Sequence, residues 1–225
     1  MANKLMKILI TGSAGFIGFS ISKKILKNKN NVVYGIDNIK NDSSNLKKIR
    51  NNILKKNSNY IFKKIDIRNK KKIFELNNLK IDYIIHLAAS AGVRASYLRP
   101  RDYYKDNLEG FFNILELSKD LKIKHLLFAS SSSVYGNQKK SPFVEIFNTD
   151  RPNSFYAATK KTNEVLAYSY SYMYNIPITA LRYFSVYGPF GRPDMAVYKF
   201  VKQILKGQTV NLHNYGKDSR DFTYI

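Results

Sequence analysis

Apolar residues along the chain follow two rhythms that alternate. Short continuous runs recur at KILITG (7–12), NVVYGID (31–37), YIFKKID (60–66), YIIHLAA (83–89), HLLFASS (125–131) and ITALRYFSVYG (178–188). Such runs predict strands buried on both faces. Between them lie segments of helical spacing. Residues 16–28 place Ile17, Ile21 and Ile25 on one side, 43–56 form a polar helix, and 69–77 a short one. Two long helices are expected at 100–119, with Pro100 near the start, and at 155–175; a last one covers 195–206 and stops at Gly207. Strands that alternate with helices predict a parallel sheet covered on both faces. No internal repeat and no linker-like segment interrupts this order.

The first strand runs into TGSAGFIG, where Gly12, Gly15 and Gly18 are spaced G-x-x-G-x-x-G. Gly12 allows a tight turn, Gly15 lets a pyrophosphate approach backbone N–H groups, and Gly18 lets helix and strand pack closely. The helix that opens there adds a favourable dipole for phosphate. Asp37 ends the second strand, about 20 residues on, where an acid binds the adenosine ribose hydroxyls and repels a 2′-phosphate. The expected fold is therefore a Rossmann-type doubly wound parallel sheet, and the expected cofactor is NAD rather than NADP. Phe16 and Ile17, between the glycines, belong to the same cofactor site.

Composition narrows the remaining classes. The chain has 225 residues, 44% of them hydrophobic, enough for a substantial core. It has no cysteine, which excludes disulfides and thiolate metal sites, and its three histidines (His86, His125, His213) show no metal-ligand spacing, so no metal is expected. The opening MANKLMKILITG is too short before its glycine for a signal peptide, and no apolar run reaches the roughly 18–20 residues that span a bilayer. A cytoplasmic protein without membrane contact is expected. The net charge of +22 comes from lysines mixed with asparagines in residues 20–80, as in NLKKIRNNILKKN. They read as solvated helix faces without a nucleic-acid motif, so no nucleic-acid partner is expected; the positive field would help attract an anionic nucleotide.

Candidate chemistry centres on SFYAATKK (154–161). Tyr156 and Lys160 stand four apart, so on a helix they lie on one face. A free phenol has a pKa near 10. A neighbouring ammonium favours the phenolate, which would prepare Tyr156 as a base near neutral pH. The serine-rich ASSSSVYG (129–136) follows the fifth strand, at the carboxyl edge where ligands bind in such sheets.

Taken together, these segments resemble the extended short-chain dehydrogenase/reductases of the nucleotide-sugar epimerase/dehydratase family. The likeness extends through HLAASAGVRAS, NLEGFFNILE, LRYFSVYGPFGRPDM and RDFTYI, and is strongest to the family's branch acting on UDP-glucuronate. It implies Tyr156 as the base, Lys160 as its partner and a ligand of the nicotinamide ribose, and Ser131 as the assisting hydroxyl, with Ser132 and Ser133 beside it on the substrate side. It implies adenine contacts at Asp66 and Ile67, and a backbone seat for the cofactor at Leu87, Ala88 and Ala89. Asn107 falls in a supporting helix. The implied reaction removes the C4 hydroxyl proton and a hydride, turns the 4-keto sugar over, and returns the hydride to the other face.

The resemblance also sorts the substrate. Family members that dehydrate carry an Asp-Glu pair where this chain has Ser132 and Ser133, and those that decarboxylate carry a glutamate at the position of Ser133. Simple 4-epimerisation of a UDP-hexuronic acid is the implied activity, UDP-glucuronate to UDP-galacturonate, which would serve polysaccharide supply. A 4-epimerase of UDP-glucose or a UDP-N-acetylhexosamine is the alternative; a decarboxylase or a non-catalytic NAD-binding regulator ranks below it. GPFGRPDM (188–195) implies that Arg192 meets the sugar carboxylate, with Ser185 as a second partner where the resembling proteins often have threonine. Arg220 matches an arginine that holds the UDP phosphates, and Tyr215 is expected near the uracil. Arg94 carries a family motif without an assigned role. The expected division is a cofactor domain at 1–187 and the beginning of a smaller, truncated substrate domain at 188–225. The helices at 100–119 and 155–175 imply a homodimer.

Overall fold

The computed structural model describes residues 5–40, 45–217, 219 and 221–225. In chain order the first elements are β1 (Met6–Thr11), α1 (Phe16–Ile25), β2 (Asn31–Asp37), α2 (Leu46–Leu54), β3 (Tyr60–Lys64), α3 (Lys70–Phe74) and β4 (Tyr83–His86). A short α4 (Val93–Leu98) precedes α5 (Pro100–Tyr103) and α6 (Gly110–Leu121), and β5 (His125–Ala129), α7 (Phe155–Tyr174) and β6 (Ile178–Leu181) complete the main sheet. Its six strands are all parallel, in the order β3-β2-β1-β4-β5-β6. That order reverses between β1 and β4, and the crevice at the strand carboxyl ends there is where such sheets bind ligands.

Alternation along β1 explains the two cores. Leu9 faces one side, with Phe111, Ile114 and Leu115 of α6 and Ala167 of α7; Ile8 and Ile10 face the other, with Phe19 of α1 and Leu54 of α2. Asn69 caps α3 by accepting the N–H of Lys72 at 3.1 Å. Ser154 caps α7 by accepting the N–H of Ala157 at 3.0 Å, which starts that helix just ahead of Tyr156.

Three differences from the periodicity bear on the site. The expected single strand at 178–188 ends at Leu181. The chain turns at Arg182–Phe184, where the Tyr183 carbonyl accepts the N–H of Ser132 at 2.9 Å. It then re-enters as β7 (Ser185–Tyr187), paired in parallel with β8 (Phe222–Tyr224) in a separate two-stranded sheet. The expected helix at 100–119 starts as predicted but loosens into one π-helical stretch at Tyr104–Glu109. The fourth strand stops at His86 rather than Ala89, because the N–H groups of Leu87 and Ala88 turn onto the Thr11 hydroxyl. After β7 the chain forms α8 (Ala196–Leu205). No helix among the described residues is long and apolar enough to cross a membrane.

Candidate active site

The glycine turn is built by close approach. Gly12 has φ +69°, and a Cβ there would lie 2.8 Å from the Ala88 nitrogen; on Gly18 it would lie 2.2 Å from the Gly12 carbonyl oxygen. Backbone atoms cannot swing aside as side chains do, so glycine is what brings β1, the exit of β4 and α1 together. The first-turn N–H groups of Phe16, Ile17 and Gly18 have no acceptor within α1 and crown the turn. Behind it, Thr11 Oγ1 accepts N–H bonds from Leu87 and Ala88, both at 3.1 Å, and its own proton goes to His86 Nδ1 at 2.8 Å. His86 is thereby the neutral tautomer protonated at Nε2, and burial, with the charge of Lys160, pushes its pKa down to about 3.

Asp37 lies at the end of β2, almost fully buried. One of its oxygens accepts from the Ile39 N–H at 2.8 Å and from Lys47 Nζ at 3.1 Å. The lysine softens the repulsion a bare carboxylate would exert on a 2′-phosphate. Asp66 is gripped by Arg68 through both oxygens, at 2.8 and 2.6 Å, and that bond above all holds its carboxyl far below the usual range. A cleft of about 330 Å³ opens beside it, lined by Asn38, Lys40, Lys64, Asn69 and Lys72. The carbonyl of neighbouring Ile67 is held by Asn113 Nδ2 at 2.9 Å.

Tyr156 and Lys160 do share one face of α7, with Lys160 Nζ 6.0 Å from the Tyr156 ring centroid. The expected electrostatic consequence is different. Lys160 is 2% exposed and gives its hydrogen bond to the Ala129 carbonyl at 2.8 Å, at the end of β5. Burial pushes its ammonium down to about 8. Burial also raises the Tyr156 phenol, and the groups that act against it are Ser131, through a hydrogen bond, and Arg192, through its charge. Solvent exclusion therefore outweighs the Ser131 hydrogen bond and the Arg192 charge in this site. Ser131 caps the turn Ser132–Tyr135 by accepting the Ser133 N–H at 3.2 Å, and its hydroxyl lies 3.1 Å from that of Ser133. Asn107, in the π-helical stretch, is buried; it bonds the Ser90 N–H at 2.8 Å, the Ser90 carbonyl at 3.0 Å and Thr159 Oγ1 at 3.0 Å.

On the other side, Ser185 opens β7, and Arg192 forks onto Asp194 at 3.0 and 2.5 Å. Tyr215 is 94% exposed on the turn His213–Gly216, so the structure does not gather it into the cluster. Arg220 lies outside the described residues.

Two groups central to the geometry escaped the motif reading. Glu164, one turn beyond Lys160, accepts from Ser130 Oγ at 2.5 Å and from Arg182 Nε and Nη2, both at 2.9 Å. That pair ties the end of β5 to α7 and to the turn after β6, immediately beside Ser131. Arg50, buried in α2, donates to the Ala14 carbonyl at 3.2 Å and to the Phe190 carbonyl at 2.6 Å, joining the glycine turn to the loop that carries Arg192. Phe190 packs edge-on against Phe19 of α1, with centroids 5.0 Å apart. The spacing YAATKKTNE places Glu164 on the face of Lys160, a usable signal; Arg50 and Phe190 are 140 residues apart and have none.

Fold and site together define a doubly wound dinucleotide-binding protein with a tyrosine, a lysine and a serine gathered at the strand ends. The pattern of the NAD dependent epimerase/dehydratase family matches residues 8–225, and the chain belongs to that family. It is 46% identical to a UDP-glucuronate 4-epimerase of Thermodesulfobacterium geofontis, over 96% of this chain and 67% of that protein. It is 47% identical to protein CapI of Staphylococcus aureus, over 98% of this chain and 66% of that one. Among solved structures, the UDP-glucuronic acid 4-epimerase of Bacillus cereus in complex with UDP-glucuronic acid and NAD superposes with a TM-score of 0.90 at 38% identity, over 97% of this chain and 69% of that one. The chain spans about two thirds of the length of these relatives.

Proposed function

We propose that the protein interconverts UDP-glucuronate and UDP-galacturonate by NAD-dependent epimerisation at C4. The observation that carries this is the placement of Tyr156, held by Ser131, facing Lys160 and within the field of Arg192. The family resemblance and the UDP-glucuronate epimerases among its relatives support the substrate.

The residues present fit NAD. The cradle at Gly12 and Gly18 has no room for a Cβ, and the N–H groups that open α1 would hold the pyrophosphate. Asp37 would hold the adenosine ribose through the oxygen not engaged by Lys47, and Asp66 and Ile67 would flank the adenine. Leu87, Ala88 and Ala89 would line the dinucleotide, and Lys160 would bind the nicotinamide ribose. When bound, NAD supplies reversible hydride uptake at C4.

The chain's own groups handle the proton. Tyr156 Oη takes it from the C4 hydroxyl, while the Ser131 hydroxyl would turn its proton from Ser133 Oγ to the phenolate and favour it. Ser132 and Ser133 supply hydroxyls but no carboxylate, so the site lacks the acids that dehydration at C5 and C6 requires. Arg192 would leave Asp194 and grip the sugar carboxylate bidentately, with Ser185 beside it. This grip holds the carboxylate away from the geometry in which a 4-keto uronate loses CO2. Tyr215 and Arg220 are assigned to the uracil and the diphosphate, and the exposed faces of the helical segments 100–119 and 155–175 to a homodimer in the cytoplasm.

The test is incubation of the protein with UDP-glucuronate and trace NAD, followed by chromatography and mass spectrometry. A new peak of unchanged mass that co-elutes with UDP-galacturonate is expected. Loss of CO2 would overturn the account of the carboxylate grip, and conversion of UDP-glucose alone would remove Arg192 from the sugar site.

A further inference from the structure

Tyr103 is 1% exposed and belongs to none of the motifs above. It closes α5, and its ring meets that of Tyr156 edge-on, with centroids 6.1 Å apart and planes at 81°. Its hydroxyl lies 2.9 Å from the Ala91 carbonyl and 2.8 Å from the Gly92 carbonyl, one phenolic proton shared between two acceptors. Gly92 has φ +111° and leads into α4, so this hydroxyl tethers the loop after β4 where it turns toward Arg94. One turn further on, Asn107 holds the same loop at Ser90 and holds α7 at Thr159, whose hydroxyl returns to the Tyr156 carbonyl at 2.7 Å. The segment 103–107 is thus a clamp between the loop and the helix of the base.

We infer that Tyr103 is a positioning residue with two separable duties: its ring sets the tilt of Tyr156, and its hydroxyl fixes the loop 90–94 beside the sugar. Edge-to-face contact is directional, so the ring constrains orientation as well as filling space. Ser131, from the turn after β5, and Arg192, from the loop after β7, also act on the Tyr156 phenol, and Lys160 of the same helix faces its ring. Tyr103 is the constraint from the α5 side. The inference rests on the reading of Tyr156 as the base, and its test includes a signal that does not depend on turnover.

Two variants separate the duties. Tyr103→Phe keeps the ring and loses the tether; Tyr103→Leu loses both. The readouts are NAD affinity, KM and kcat with UDP-glucuronate, and titration of Tyr156 by 13Cζ-tyrosine NMR, its resonance assigned by its absence in Tyr156→Phe. Tyr103→Phe is expected to raise KM about fivefold to tenfold, the effect of one lost hydrogen bond, with kcat within about twofold. Tyr103→Leu is expected to lower kcat by about 10- to 100-fold through misorientation and to move the Tyr156 titration down toward that of a free tyrosine, with NAD affinity unchanged. Equal kcat and an unmoved Tyr156 titration in Tyr103→Leu would overturn the inference. So would joint loss of fold and NAD affinity in both variants, since that marks a merely structural residue. If the wild type does not turn over UDP-glucuronate, the proposed function falls, and the NMR titration still decides the orienting duty.

Discussion

The six-stranded sheet and the stretch from Ser185 onward are built on different principles. In the sheet, Leu9, Ile10, Val33, Ile84 and Leu126 are wholly buried, and the helices on both faces meet them. Past Ser185 most of the described apolar residues find no such partner. α8 has no buried residue, β8 is exposed throughout, and Ile204 and Leu205 are 65% and 81% exposed. The cofactor cradle is therefore preorganised by its own core, whereas the loop bearing Arg192 takes its position from a few contacts made back to that core. Arg50 and the Phe19–Phe190 pair are the chief ones described. Stability of this region should respond to those anchors and hardly at all to its exposed apolar residues.

The contrast can be attacked where it predicts most. Gly18→Ala places a methyl against the backbone of the glycine turn; a destabilisation of about 3 kcal/mol and loss of most NAD affinity are expected, read by thermal unfolding with and without NAD. Retained NAD binding would mean that the turn is softer than its geometry implies. Arg50→Met leaves the Ala14 and Phe190 carbonyls short of a donor. About 2 kcal/mol should be lost, with KM for UDP-glucuronate rising more than that for NAD. Equal rises would show that the anchor serves the cofactor turn alone. Ile204→Lys, on the exposed face of α8, should change unfolding by no more than about 0.5 kcal/mol. A larger loss would show that α8 is covered in solution and would sink the comparison.

Much of the site could be read from residue order because its parts are local. The strand, glycine turn and helix around Gly12–Gly18 are consecutive, and Asp37 falls at a strand end that periodicity locates. The cap at Ser154 and the spacing of Tyr156 and Lys160 are features of one helix. What escaped was non-local. The sixth strand was expected to run on to Gly188, yet the chain turns after Leu181, where the side chain of Arg182 is taken by Glu164 and by the Glu145 carbonyl at 3.0 Å. Arg50 reads as one more basic residue in a polar helix until the fold places Phe190 against it. Tyr103 is one of 17 tyrosines, with nothing local to mark it.

The sequence by itself determined the doubly wound sheet, the dinucleotide turn and the adjacency of Tyr156 to Lys160, since strand period, glycine geometry and the i,i+4 rule act over a few residues. Tertiary structure decided the proton affinity of the site. A phenol's pKa depends on how far water is excluded and on which charges and donors come near. Those arrive from the turn after β5 and the loop after β7, elements that only folding brings together. Burial raised Tyr156 where the isolated Tyr-Lys spacing suggested the opposite, and it falls to Ser131 and Arg192 to draw it down.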